Sequence, residues 1–388
     1  MAKPLRIFIS TGEVSGDLQG ALLIDALRRR AAAIGQDLDI VALGGDRMAA
    51  AGAALLANTS GIGSVGLVES LPFVLPTLRV QQRVERYLQK HSVDAAILID
   101  YMGPNVKLGH YLKQTFPALP VTYYIAPQEW VWSIGSKNTN RLVKASDRLL
   151  AIFREEARYY TSHGADVTWV GHPIVDHVAQ LPSREQARQR LGISDDEQAI
   201  ALLPASRRQE ITYLAPVMFE TAARLQAQVP RASFWVPLSL PQYRPRIEEA
   251  IERAGLQATL VDQQPQEVIA AADLALAKSG TVNLETALMG VPQLVLYRVN
   301  PITYWVARHV LRFSIPFMSP VNLAGMESIV PEFLQEQATP DRLTAAALAL
   351  LQNPQARAQM QAGYGRMRTA LGSPGACDRA AAAILSSQ

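Results

Sequence analysis

The chain has 388 residues, of which 49% are hydrophobic, 18% charged and 7% aromatic, with a formal net charge of +3. At roughly 100–200 residues per domain this length implies two domains, each able to bury its own core, and although the charge fraction is below the roughly 25% of ordinary soluble chains, no run of about 18 uncharged apolar residues is present to span a bilayer. The excess of 37 Lys+Arg over 34 Asp+Glu is too slight to suit nucleic acid, the single cysteine, Cys377, excludes a disulfide framework or a cysteine zinc cluster, and the apolar stretch Leu5–Ile9 is too short for a secretory core, so a cytosolic protein is expected.

Short apolar runs alternate with helical patterns along the chain. Leu5–Ser10, Asp39–Leu43, Asp94–Ile99, Val121–Ile125, Arg148–Phe153 and Val167–Val170 read as strands, with helices such as Asp17–Ile34 and Val106–Thr115 between them. A second series follows at Ala199–Leu203, Ser233–Pro237, Ala258–Val261, Asp273–Ala277 and Gln293–Tyr297. Nearly continuous apolar strands are those buried on both faces, and their alternation with helices implies two α/β, doubly wound, Rossmann-like parallel-sheet domains. The stretch Gly171–Ser194, with Gly171-His172-Pro173, Pro182-Ser183 and an Arg/Glu/Gln-rich helix, reads as a linker. The domains are therefore placed at 1–172 and 173–338, with helices over 339–388 crossing back to the first. Ligands of open α/β sheets bind beyond the carboxyl ends of the strands, so chemistry is expected in the loops that follow them, across a cleft between the two domains.

After the first strand, Ser10-Thr11-Gly12-Glu13-Val14-Ser15-Gly16-Asp17 leads into a helix that Ser15 or Asp17 could cap. Its Gly spacing does not match a Gly-x-Ser-x-Gly nucleophile elbow. A plain capped turn and a substrate-facing loop both remain, the second favoured by Glu13, which capping does not require. Gly61-Ile62-Gly63-Ser64-Val65-Gly66 spells a dinucleotide fingerprint but follows no clear strand, and Asp37-Leu38-Asp39 stands at the wrong end of its strand for a metal site. Asp100 ends an apolar strand, where a partly desolvated carboxylate suits a general base; capping the next helix is the competing role. Ala126-Pro127-Gln128-Glu129-Trp130-Val131-Trp132 sets polar and aromatic groups after the next strand. In the second half, Ser206 and Arg207 follow a strand where an arginine can clamp a phosphate, and Lys278-Ser279-Gly280-Thr281 opens a helix whose N–H groups suit an anion. Glu285, one turn further, could accept the two hydroxyls of a ribose. His172 and His177 lack zinc spacing, which leaves His172 as a ligand contact or a core residue.

Taken in order, these loops resemble the lipid-A-disaccharide synthase family of GT-B glycosyltransferases. The resemblance is carried by Gly12-Glu13-Val14-Ser15-Gly16-Asp17, Gly44-Gly45-Asp46-Arg47-Met48, Val65-Gly66-Leu67-Val68-Glu69, Ile99-Asp100, Ala126–Trp132, Val170-Gly171-His172-Pro173, Leu203-Pro204-Ala205-Ser206-Arg207, Ser279-Gly280-Thr281 and Asn322-Leu323-Ala324-Gly325. It implies an inverting, metal-independent transfer needing no cofactor. A diacylglucosaminyl group would pass from UDP-2,3-diacylglucosamine to the 6-hydroxyl of 2,3-diacylglucosamine 1-phosphate in lipid A biosynthesis. It implies that Asp100 and Arg207 are catalytic, and that Glu13, Ser15, Gly16, Gln128, Glu129, His172, Ser206, Ser279, Gly280, Thr281, Glu285 and Asn322 bind substrate. Gly103 and Pro104 depart from the family pattern, as do Ala205 and Val14. The alternatives are a UDP-sugar transferase with another lipid-linked acceptor, as in peptidoglycan synthesis, and a nucleotide-sugar-binding protein without catalysis.

Two segments suit acyl chains and an anionic membrane surface. Val65–Leu78 is densely apolar and is followed by Arg79, Arg83 and Arg86, and Pro301–Met318 combines Tyr304, Trp305, Phe313 and Phe317 with Arg308 and Arg312. Core packing is the competing role for both. The expected partners are thus the UDP-linked donor, the phosphorylated lipid acceptor and the inner face of the cytoplasmic membrane, reached peripherally, with no nucleic acid; a homodimer is compatible with this reading.

Overall fold

A computed structural model describes residues 4–59, 71–132, 136–204, 208–238, 241–262, 265–300, 304–305 and 316–386. The chain divides into two compact units, residues 1–176 with 371–388, and residues 177–370.

In unit 1 the chain runs β1 (Leu5–Ser10), α1 (Glu13–Ala33), β2 (Leu38–Gly44), α2 (Asp46–Ala50), β3 (Ala54–Asn58), α3 (Leu71–Lys90), β4 (Ala95–Ile99), α4 (Met102–Thr115) and β5 (Val121–Tyr124). It continues through α5 (Glu129–Trp132), α6 (Ser136–Val143), β6 (Arg148–Ala151), α7 (Arg154–Ser162), β7 (Val167–Trp169) and α8 (Ile174–Val178). The strands form one sheet in the order β3-β2-β1-β4-β5-β6-β7, and every pairing is parallel. Runs such as Ala95–Ile99 are buried throughout because helices cover both faces of a parallel sheet. The order reverses between β1 and β4, and there the loops leaving the two strands diverge and open a crevice.

In unit 2 come α9 (Arg184–Leu191), β8 (Gln198–Leu203), α10 (Arg208–Gln228), β9 (Ala232–Leu238), α11 (Arg244–Arg253), β10 (Ala258–Asp262), α12 (Pro265–Ala271), β11 (Leu274–Lys278), α13 (Val282–Leu288) and β12 (Gln293–Tyr297). They are followed by α14 (Pro320–Gly325), β13 (Glu332–Leu334), α15 (Pro340–Gln352) and α16 (Pro354–Leu371). The sheet order is β10-β9-β8-β11-β12-β13, with its reversal between β8 and β11. The last helix, α17 (Ala376–Leu385), belongs to unit 1 and packs on α1. Arg379 fastens it there by donating to the carbonyls of Val170, Ser373 and Pro374, while Asp176 accepts from the Gly375 and Cys377 N–H groups at its start.

One local reading of the sequence changes and another is refined. Helix α1 begins at Glu13, so Ser15 and Asp17 lie inside it and cap nothing there. Asp17 instead accepts from the N–H groups of Gly45 (2.7 Å), Met48 (3.1 Å) and Arg47 (3.1 Å), satisfying donors at the start of α2. The Gly171–Ser194 stretch, read as a linker, contains the boundary between the two units at 176/177, and its helix is anchored to unit 2. Within α9 the buried Arg188 donates to the carbonyls of Ala271, Ser194 and Glu197 and pairs with Asp273.

Candidate active site

The crevice of unit 1 is walled by the loops after β1 and β4, with the β5 loop beside them. All three loops leave their strands through non-glycine residues in the left-handed region: Glu13 (φ 66°), Asp100 (φ 45°), Tyr101 (φ 54°) and Ile125 (φ 59°). Each such residue costs about 1–3 kcal/mol unless its surroundings hold it, and a cluster of them marks a site whose geometry matters. The restraints are visible. Buried Asn105 of α4 donates to the carbonyls of Ser10, Ile99 and Asp100 and accepts from the Ser10 hydroxyl at 2.7 Å, tying β1 to β4. The Tyr123 hydroxyl donates to the Asp100 carbonyl at 2.8 Å, and the Asp100 N–H donates to Ile125 at 3.0 Å. Asp100 is therefore fixed by backbone and is half-buried at the crevice.

The glycines of the first loop serve packing. A Cβ on Gly12 would stand 2.7 Å from the Tyr101 ring, and one on Gly16 would stand 2.0 Å from the Thr11 hydroxyl. Glu13 and Ser15 are half-buried in the first turn of α1. After β5, Gln128 is half-buried and Glu129 buried; burial raises the proton affinity of the Glu129 carboxyl, and Asn138 partly offsets this by hydrogen bonding. His172 lies two strands away, after β7, with its ring edge-on to Phe153 at 5.2 Å. Its Nδ1 accepts from the Ile174 N–H at 3.1 Å, which puts the ring proton on Nε2, and burial pushes its pKa down to about 3, so it works as a neutral ring.

Two residues absent from the sequence reading shape the β5 loop. Glu156, 1% exposed, accepts from the N–H groups of Ala126 (3.1 Å), Ile152 (2.8 Å) and Phe153 (3.1 Å). Burial raises its pKa to about 7 against those three hydrogen bonds, with the Asp100 charge adding to the rise. Tyr160, one turn later on α7, donates its hydroxyl to the Pro127 carbonyl at 2.7 Å. Only the i, i+4 spacing of a polar pair on a half-buried helix could have signalled them.

In unit 2, Ser206 and Arg207, after β8, lie outside the described residues. After β11 the structure gathers Lys278, Ser279, Gly280 and Thr281, with buried Glu285 a turn into α13. The Lys278 ammonium donates to the Glu210 carboxylate at 2.9 Å, each side chain 15% exposed. The Gly280 N–H donates to Asn283 Oδ1 at 2.8 Å, while the Asn283 amide donates to the Lys278 carbonyl and to Gln293, closing the loop on itself. The Ser279 hydroxyl donates to the Met318 carbonyl at 2.7 Å, joining this loop to the start of α14. Asn322, 1% exposed, donates to Val330 and Glu332 and accepts from the N–H groups of Ile329 and Val330, so the four positions of its amide are spent on its own segment. Glu332 completes that segment by accepting from the Met318 and Ser319 N–H groups.

Among the described residues no cluster of three His, Cys, Asp or Glu could hold a metal ion, and no helix is long and apolar enough to cross a membrane. The Gly61–Gly66 segment and much of Val65–Leu78 and Pro301–Met318 lie outside the described residues.

Two parallel α/β units, each with its polar loops at a reversal of strand order, define the architecture of the GT-B glycosyltransferases and their epimerase relatives. UDP-GlcNAc 2-epimerase from Neisseria meningitidis superposes with a TM-score of 0.62 at 13% identity, covering 99% of this chain and 100% of that one. A glycosyltransferase from Rickettsia africae does so at 0.57 with 12% identity, covering all of both chains. The sequence narrows the class. Residues 7–386 match the family model of lipid-A-disaccharide synthetase, and a lipid-A-disaccharide synthase of Gloeothece citriformis is 55% identical over 381 residues, 98% of this chain and 99% of that one. The chain belongs to the lipid-A-disaccharide synthetase family, and it is a hexosyltransferase of lipid A biosynthesis.

Proposed function

We propose that the chain condenses UDP-2,3-diacylglucosamine with 2,3-diacylglucosamine 1-phosphate, giving the β-1,6-linked disaccharide 1-phosphate and UDP. Family membership over nearly the whole chain supports the reaction. The observation that carries the catalytic assignment is the fixed, strained backbone that presents Asp100 at the crevice of unit 1.

Asp100 takes the proton of the acceptor 6-hydroxyl as that oxygen attacks the anomeric carbon of the donor. The bond from that carbon to the β-phosphate oxygen breaks, UDP departs and the configuration inverts. A positioned base of this kind supplies about 10²–10⁴ in rate. Glu13, Ser15, Gly16, Gln128, Glu129 and His172 line or support the acceptor side. Arg207 with Ser206, and Ser279, Gly280 and Thr281, stabilise the leaving diphosphate, and Glu285 holds the ribose. Lys278 acts through its pair with Glu210 to keep the loop in place. In Asn322 the amide orders the segment whose Met318 carbonyl receives Ser279.

Helix α3 is the contact with an anionic membrane surface. It exposes Val74, Leu75 and Leu78 beside exposed Arg79, Arg83 and Arg86, an apolar strip flanked by cations. The protein is expected to sediment with anionic vesicles and to be released by salt; indifference to both overturns this contact.

The reaction is tested by UDP release. The diacylated donor with the phosphorylated diacylated acceptor is expected to turn over, and replacement of the donor by UDP-N-acetylglucosamine to abolish turnover. Equal rates with both donors would overturn the substrate assignment.

A further inference from the structure

The chemistry proposed for unit 1 places the Ala126–Glu129 loop beside the base, yet this loop carries no glycine and few regular backbone bonds to hold it. What holds it comes from α7. Glu156 and Tyr160 stand four residues apart, on one face of that helix. The Glu156 carboxylate accepts the Ala126 N–H at 3.1 Å, and the Tyr160 hydroxyl donates to the Pro127 carbonyl at 2.7 Å. Two successive residues of the loop are thus gripped by opposite hydrogen-bonding polarity from one helix face. The second oxygen of Glu156 accepts from Ile152 and Phe153 at the end of β6, so the same side chain anchors the loop to the neighbouring strand. No ion pair involves Glu156 among the described residues, although it is 1% exposed. A carboxylate buried this deeply without a cation is costly to a fold, and apolar packing would serve stability better.

We infer that Glu156 and Tyr160 form a two-point clamp that positions the Ala126–Glu129 loop for the acceptor substrate. Both are positioning residues. They act through the loop and touch neither substrate. The inference rests on the reading of unit 1 as the acceptor side.

The clamp has a protonation dependence. Among the described residues, the titratable groups that interact with Glu156 are Asp100 from the end of β4, Tyr124 from β5 and Tyr160 on its own helix, with Glu129 of α5 acting on Tyr160, and none of them is cationic. Protonation of Glu156, at a pKa of about 7, removes its charge and puts a proton on one of its two oxygens, which weakens the charge-assisted bonds from Ala126 on one oxygen and from Ile152 and Phe153 on the other. Acidification through pH 7 should therefore loosen the loop and weaken acceptor binding, while the donor, held by residues of unit 2, is bound as before.

Kinetics of UDP release with each substrate varied in turn tests the clamp, alongside hydrogen exchange of residues 121–132. Tyr160→Phe, which deletes one oxygen and keeps the ring, is expected to raise the acceptor KM about 3–10-fold and leave the donor KM within twofold. The exchange of the loop amides should rise in the same variant. Glu156→Gln is expected to raise the acceptor KM and to abolish its increase between pH 8 and pH 6. A donor KM raised as much as the acceptor KM, or faster exchange with both KM values unchanged, would overturn the clamp as a positioning device. Tyr160→Phe keeps the test open if Glu156→Gln does not fold. Failure of the acceptor assignment is distinguishable, because Asp100→Asn would then retain turnover whatever the clamp variants do.

Discussion

The two units present polar loops at equivalent places in similar sheets, but they hold them by different means. In unit 1 the loops at the reversal of strand order contain four left-handed non-glycine residues and lean on a buried carboxylate that has no counter-charge among the described residues. In unit 2 the loop after β11 contains no left-handed residue, and it is closed by the neutral amides of Asn283 and Gln293 and by a paired Lys278–Glu210. A phosphate-binding loop needs its N–H groups in place, and a short helical turn with amide bracing suffices for that. A base must meet one hydroxyl at one angle, and strain held by surrounding hydrogen bonds fixes such a group at the expense of stability. With the roles proposed above, the contrast fits fine alignment in unit 1 and binding in unit 2.

The largest test of that division is Asp100→Asn. The side chain keeps its size and the left-handed backbone, to which asparagine is well suited, so folding should be preserved. UDP release is expected to fall at least 100-fold with both KM values little changed. A rate within tenfold of the parent, about 1.4 kcal/mol in barrier, would remove Asp100 from the proton transfer.

The next effect belongs to unit 2. Asn283→Ala deletes the acceptor for the Gly280 N–H and the donors to Lys278 and Gln293, and the site is fully buried. A rise of about tenfold in the donor KM is expected, with the acceptor KM unchanged, together with a loss of about 1–3 kcal/mol of stability from the unsatisfied partners. If kcat fell instead while the donor KM held, unit 2 would share in alignment and the division would fail.

Much of this architecture is legible in the chain because parallel strands covered on both faces read as apolar runs. Leu5–Ser10 and Gln293–Tyr297 coincide with β1 and β12, and the other expected strands differ from the observed ones only at their ends. The strands that escaped notice are β3 and β13, both at sheet edges: Ala54–Asn58 is an Ala/Leu run, a composition shared with helices, and Glu332–Leu334 has only three residues. Asp100 was legible for the complementary reason, since a carboxylate ending a buried run stands out. Asn105, Glu156 and Tyr160 were not, because most of their partners are backbone groups, for Asn105 as far as 95 residues away, and only the i, i+4 spacing of Glu156 and Tyr160 leaves a trace in the sequence. The first turn of α1 misled for a similar reason: Asp17 looks like a cap but serves α2 across the fold.

The finest test uses two buried titratable groups of unit 1 whose linkages oppose each other. Glu156 has its folded pKa raised by burial to about 7 from 4.5, so its contribution to stability is complete below pH 4.5 and is lost as the pH rises through 7. His172 has its folded pKa lowered by burial to about 3 from 6.5, so its contribution is complete above pH 6.5 and is lost as the pH falls through 3. Each single-proton linkage has a slope of about 1.4 kcal/mol per pH unit. Between pH 4.5 and 6.5 the two slopes have opposite signs and cancel, which hides both in the parent protein. Glu156→Gln should unmask the histidine, so that stability to denaturant climbs with pH across this window relative to the parent. His172→Asn should unmask the carboxylate and reverse the sign. Denaturation midpoints of the three proteins at pH 5, 5.5 and 6 check both signs at once. Parallel profiles for all three would mean that neither group is buried in the neutral state described, and Glu156 would no longer serve as the buried carboxyl that sets unit 1 apart.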